Sequence, residues 1–117
     1  MKNLGEAFDY AKNSYKIDMD SFMDMFITSG YAKLFQDGNT KVIEGLSGCE
    51  LVLNIFEKIG LEEEIIMPSN SFYQSCEYWC GWILAYFQWK TSLPFKFIHQ
   101  NISMKEIESL YPTLLHE

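Results

Sequence analysis

Residues 77–91 read "EYWCGWILAYFQWKT", three tryptophans and three further aromatics in fifteen positions. The uncharged run between Glu77 and Lys90 spans twelve residues. A helix needs about 20 to cross a bilayer, so this stretch is too short for a membrane segment. At 100° per residue, Phe72, Trp79, Trp82, Ile83, Tyr86 and Trp89 share a broad arc, and Glu77, Gly81, Leu84 and Gln88 lie opposite. That opposite side is only half polar. The pattern predicts a helix at the centre of a small α-helical core, touched on most sides, with its indoles buried. Gly81 costs about 1 kcal/mol relative to alanine in mid-helix, which is explained if a neighbouring helix passes close to it. Ser71 and Gln74 fit an S-x-x-Q capping box, placing this helix over 71–91.

Other starts are marked in the same way. Ser47 and Glu50 form an S-x-x-E box ahead of "GCELVLNIFEKIG", in which Val52, Ile55, Phe56 and Ile59 share a face and Gly60 supplies a left-handed stop. Ser103 and Glu106 open a third, short helix halted by Pro112. Asp18 is placed to cap "MDSFMDMFITSG", where Met19, Phe22, Met23 and Phe26 recur at helical spacing before Gly30. Residues 4–15 form a weaker first helix, bringing Leu4 and Phe8 together with Ala11 or Tyr15. Residues 36–40 are a turn, and 61–70 a loop carrying three consecutive glutamates. In 92–100, Phe95 and Phe97 alternate as in a strand, but Phe95, Ile98 and Ile102 keep helical spacing, and a short helix is preferred. The expected fold is all-α: one domain over 1–117, a compact bundle of about five to six helices around the central aromatic helix of 71–91.

Composition narrows the function classes. At 117 residues with 48% apolar content, the chain suits one globular domain. Sixteen acidic residues face nine lysines and no arginine, for a net charge of −7. Residues 90–117 hold three acids and three lysines, so the whole excess lies in residues 1–89. Direct nucleic-acid binding is disfavoured, because such binders use a basic patch and arginine forks. An acidic face docking on a basic protein is allowed. The first residues are charged throughout and contain no secretory apolar stretch, and three cysteines are too few for a disulfide framework. A cytoplasmic protein is expected.

No catalytic residue, cofactor-binding residue or metal ligand stands out. Cys76 and Cys80 are four apart and could furnish part of a zinc site, but His99 and His116 form no spaced pair to complete it. Buried free thiols are the better expectation. "GLSGC" at 45–49 approaches a nucleophile elbow, yet Cys49 takes the last glycine's place and no strand precedes it, so Ser47 is read as a cap. Residues 92–111 have helix-turn-helix proportions, but Lys105 stands beside Glu106 and Glu108, which phosphate would repel. Asp18, Asp20, Asp24, Glu62, Glu63 and Glu64 are the candidate partner-binding residues. Rim charges of this kind speed and orient association, and affinity needs buried anchors as well.

The stretches "FITSGYAKLFQDGNTKVIEGLSGCEL" (26–51), "EYWCGWILAYFQWKTSLPFKFI" (77–98) and "LYPTLLHE" (110–117) resemble a family of short uncharacterised proteins of low-GC Gram-positive bacteria and their mobile elements. The most specific part runs from Tyr78-Trp79 to Trp89-Lys90-Thr91, and the similarity covers roughly residues 20–117. Genes of that family often lie beside toxin–antitoxin-type genes, some encoding ADP-ribosyltransferase-like proteins. The resemblance implies an accessory or neutralising role and identifies no catalytic residue. "YPTLLHE" has an extra leucine relative to the family pattern, and relatives usually continue with another amphipathic segment. The leading expectation is therefore a non-catalytic acidic module, an antitoxin-like or phage-encoded anti-defence inhibitor. It would mask a basic site on a toxin or nucleic-acid-handling effector; a second copy of the chain is a further candidate partner. The alternatives are a small enzyme or modifying factor using Ser47, Cys49 or a carboxylate, and a DNA regulator through residues 92–111.

Overall fold

A computed structural model describes residues 1–39, 44–68 and 75–111. Seven α-helices lie within these residues: α1 (Lys2–Asp9), α2 (Met19–Thr28), α3 (Tyr31–Gln36), α4 (Gly48–Ile59), α5 (Cys76–Thr91), α6 (Phe95–Asn101) and α7 (Met104–Glu108). No strand occurs among the described residues, and the fold is all-α. The radius of gyration is 13.2 Å, against about 13 Å expected for a globule of this length.

Helix starts follow the capping chemistry. Ser47 Oγ accepts from Glu50 N at 3.2 Å, and Glu50 Oε1 accepts from Ser47 N at 3.0 Å, so both halves of the box are made. Ser103 and Glu106 repeat this arrangement at α7. Asp18 accepts from Ser21 N at the head of α2. Gly30 and Gly60 adopt φ of +88° and +81°, the left-handed geometry in which a residue without Cβ ends a helix cheaply. Residues 95–101 are helical, with Phe95 and Ile98 buried and Phe97 outward. Helical spacing thus decides the reading of that segment.

Two boundaries differ from expectation. Helix α5 begins at Cys76, and its cap is Ser75, whose side chain accepts from Tyr78 N at 3.0 Å. Residues 71–74, with the Ser71–Gln74 box and Phe72, lie outside the described residues, as do Pro112 and His116. Helix α1 runs on as a π-helical turn over Tyr10–Ser14, which Lys16 closes at a φ of +61°.

The core is built around α1. Leu4, Ala7, Phe8 and Ala11 are fully buried, and Asn3, Gly5 and Asp9 on its other sides are buried too. Helix α5 lies along α1 in the most extensive helix–helix contact of the structure, and α4 packs on α1 as well. Helix α2 contributes Phe22, which meets Phe8 edge-on at 5.1 Å, and Phe26, which meets Phe35 of α3 and Phe95 of α6. These T-shaped contacts are the favoured geometry for aromatic quadrupoles.

Candidate functional site

The rotation of α5 about its axis is set where it crosses α1. A Cβ added at Gly81 would stand 2.5 Å from Leu4 O and 2.8 Å from Gly5 Cα, and one added at Gly5 would stand 2.7 Å from Tyr78 O. The two backbones therefore touch at a pair of glycines. That meets the requirement, read from the sequence, for a close neighbour at Gly81. It also fixes the inward face, which is Cys80, Gly81, Leu84, Ala85 and Gln88.

The aromatic face points the other way. Trp79 and Trp82 are half-buried, Tyr86 and Phe87 are about two-fifths exposed, and Trp89 is 65% exposed. The expectation of interior indoles is corrected here, and the reason is steric. Where the two helix backbones touch, small residues take the seam with the Tyr78 ring against Gly5, and Trp82, Tyr86 and Trp89 lie off it. Trp82 and Tyr86 stack at 5.6 Å with their planes 9° apart, and Trp89 continues the row 6.3 Å beyond Tyr86. Lys90 Nζ lies 5.8 Å from the Trp89 ring, a cation–π distance.

On another side of α5, at Ile83, Leu84 and Phe87, α5, α6 and α7 enclose an open groove of about 480 Å³ that Ile98, Ile102, Glu106, Ile107 and Leu110 also line. Phe87 is the exposed α5 aromatic that lines this groove, while Trp89 lines a separate recess of about 360 Å³ with Met1, Phe35, Ala85 and Phe95. Exposed rings beside apolar recesses that a partner's side chains can fill are the ingredients of a hot spot. The sequence carries the signal for this orientation in Gly81 and its small neighbours Cys80 and Ala85, which mark the packed side.

The six carboxylates expected to contact a partner fall into two groups. Asp18, Asp20 and Asp24 lie in or next to the first turns of α2. Asp18 is an N-cap, and its hydrogen bonds from Ser21 hold its carboxyl below the usual range. Asp20 Oδ1 accepts from Met104 N at 2.7 Å and lies 3.8 Å from His99 Nδ1, while Asp24 Oδ1 lies 3.1 Å from His99 Nε2. Asp20 and Asp24 thus also tether α2 to α6 and α7. Glu62, Glu63 and Glu64 are exposed on the extended segment 61–68. The hydroxyls of Tyr15 and Tyr10 fasten that segment, donating to Glu64 O and Ile66 O respectively.

A third cluster joins α5 to α7. Cys76 Sγ and Cys80 Sγ are 3.9 Å apart, and the ligating atoms of Cys76, Glu77 and Glu108 all lie within 4.8 Å of one another. Asn13, on the π-helical turn, donates to Glu77 Oε1 at 2.9 Å and to the buried Asp9 at 2.7 Å. Burial, then the adjoining thiol and carboxylates, pushes the Cys80 thiol up; burial also raises Cys76. Sequence spacing showed the i, i+4 thiols but had no means of bringing Glu108 to them from another helix.

Ser47 and Cys49 belong to the start of α4. Ser47 Oγ is committed to the capping box, and Gly48 N donates to Glu6 Oε1 at 3.0 Å. Cys49 is half-buried, and burial followed by the charges of Glu6, Asp9 and Glu50 raises its pKa. A nucleophilic thiol needs the opposite shift. Residues 92–111 hold α6 and α7, and α7 has only five residues. No described helix is long and apolar enough to cross a membrane. No protein family, curated protein or solved structure matches the chain.

Proposed function

We propose that the protein is a non-catalytic, acidic protein-binding module acting in the cytoplasm. Its outward aromatic row, and the groove lined by Phe87, would anchor a basic partner, and its carboxylates would orient the approach. The observation that carries this reading is Trp89, a large aromatic left 65% exposed at the end of the Trp82–Tyr86–Trp89 row, where it borders a recess shared with Met1, Phe35 and Phe95. Contiguous exposed apolar surface of this kind marks interaction sites on soluble domains. The net charge of −7, with no arginine, favours a lysine- or arginine-rich partner. Within that class, an antitoxin-like or phage-encoded inhibitor covering a basic site on a toxin or nucleic-acid-handling effector agrees best with the charge and the family resemblance.

The division of labour follows from the physics of interfaces. Exposed carboxylates such as Glu62, Glu63 and Glu64 raise the association rate and make it salt-dependent. Desolvated aromatics supply most of the affinity. The test is capture of a basic protein by the tagged chain at low and at moderate salt, beside the Trp89→Ala variant. Wild type is expected to retain one basic partner at low salt and less at moderate salt, and Trp89→Ala to release it at both. Retention of no basic protein by wild type at either salt overturns the proposal.

A further inference from the structure

We propose that Cys76, Cys80, Glu77 and Glu108 form a binding site for a borderline-soft divalent cation, zinc above all, which clamps the first turns of α5 to α7. The thiols set the geometry. Zinc–thiolate bonds of about 2.3 Å place two sulfurs of a tetrahedral site about 3.8 Å apart, and the Sγ atoms here are separated by 3.9 Å. The carboxylates approach from two helices: Glu77 is the neighbour of Cys76 on α5, and Glu108 is the last residue of α7. Their ligating atoms and Cys76 Sγ lie within 4.8 Å of one another, a triangle that side-chain rotation closes onto one ion.

The surroundings are those of a supported site. Asn13 holds Glu77 Oε1 at 2.9 Å and is itself held by buried Asp9, an outer shell that fixes the carboxylate's orientation. Cys80 is fully buried, and Cys76, Glu77 and Glu108 are half-buried, so water has limited access. Lys12 and Lys105 line the recess that also holds Glu108, together with Asp18 and Asp20. The donor set selects the ion: thiolates favour zinc and its analogues over magnesium or calcium, which take oxygen ligands. As the ion binds, the two thiol protons leave to solvent. This inference does not depend on the partner reading above.

The test is titration of the reduced full-length chain with cobalt(II), a spectroscopic stand-in for zinc. One equivalent should produce thiolate-to-cobalt charge-transfer absorption in the near ultraviolet, and zinc should bleach it. Cys76→Ser should lower that absorption, and Glu108→Gln should weaken cobalt affinity about tenfold or more. Cys49→Ser should leave both unchanged. Because a core thiol variant can fail to fold, far-ultraviolet circular dichroism accompanies each titration, and Glu108→Gln, altered only at the end of a surface helix, carries the decision. The proposal is overturned if folded wild-type protein gives no charge-transfer absorption at one equivalent, or if Glu108→Gln binds cobalt as tightly as wild type.

Discussion

The two faces of α5 are made of different materials. Toward α1 the helix presents Cys80, Gly81, Leu84, Ala85 and Gln88, small or slender residues that let the backbones meet. Away from α1 it presents Phe87 to the α6–α7 groove, and the row of Trp82, Tyr86 and Trp89, with Trp89 the most exposed. Hydrophobicity alone does not choose between these faces, since both are apolar. Closeness of approach does. A glycine facing a glycine brings two helices within contact distance, leaving the Tyr78 ring against Gly5 and the indoles of Trp82 and Trp89 off the seam.

Substitutions on the two faces should therefore differ in kind. The largest effect belongs to Leu84→Ala, which empties a fully packed position and should destabilise by about 2–5 kcal/mol in urea denaturation. Gly81→Ala comes next. In an exposed helix the change would gain about 1 kcal/mol of propensity. Here the new Cβ meets Leu4 O and Gly5 Cα, backbone atoms that cannot swing aside, and a loss of about 1–3 kcal/mol is expected. A stabilised Gly81→Ala protein would show that the seam is looser than described.

Caps give a smaller effect. Asp18→Ala should cost about 1 kcal/mol by removing the acceptor for Ser21 N. The charge matters too, in a direction fixed by linkage. The folded-state pKa of Asp18 lies below its unfolded value, so its stabilisation is present above the ordinary carboxylate range near pH 3.9 and is lost as pH falls through the lower folded value. The stability difference between wild type and Asp18→Asn, measured by thermal unfolding, should shrink on acidification below about pH 4. The smallest effect on stability belongs to Trp89→Ala, within about 0.5 kcal/mol of wild type, although the same change should abolish partner capture. Stability and binding would then be carried by opposite sides of one helix.

Local chemistry made most of the fold readable. The boxes at Ser47–Glu50 and Ser103–Glu106, the cap at Asp18 and the Met19-Phe22-Met23-Phe26 face are short-range signals, and each is realised. Gly81 was legible as a point of close approach, and the structure supplies Gly5 as its partner. The facing of the indoles was not legible, because an aromatic-rich arc predicts burial unless the seam has already been assigned to the small residues. Nor could spacing show that Glu108 reaches Cys76 and Glu77, or that Asp20 and Asp24 engage His99, since those meetings depend on how α6 and α7 fold back on α2 and α5. The groove likewise exists only once three helices are assembled.

The claim on which the account turns is that the row ending at Trp89 faces solvent. A single-tryptophan protein with Trp79→Phe and Trp82→Phe isolates that residue, and its fluorescence with a neutral quencher reads its exposure. Long-wavelength, water-like emission and efficient quenching are expected in the folded protein. Short-wavelength emission protected from quencher until the chain unfolds would contradict that claim.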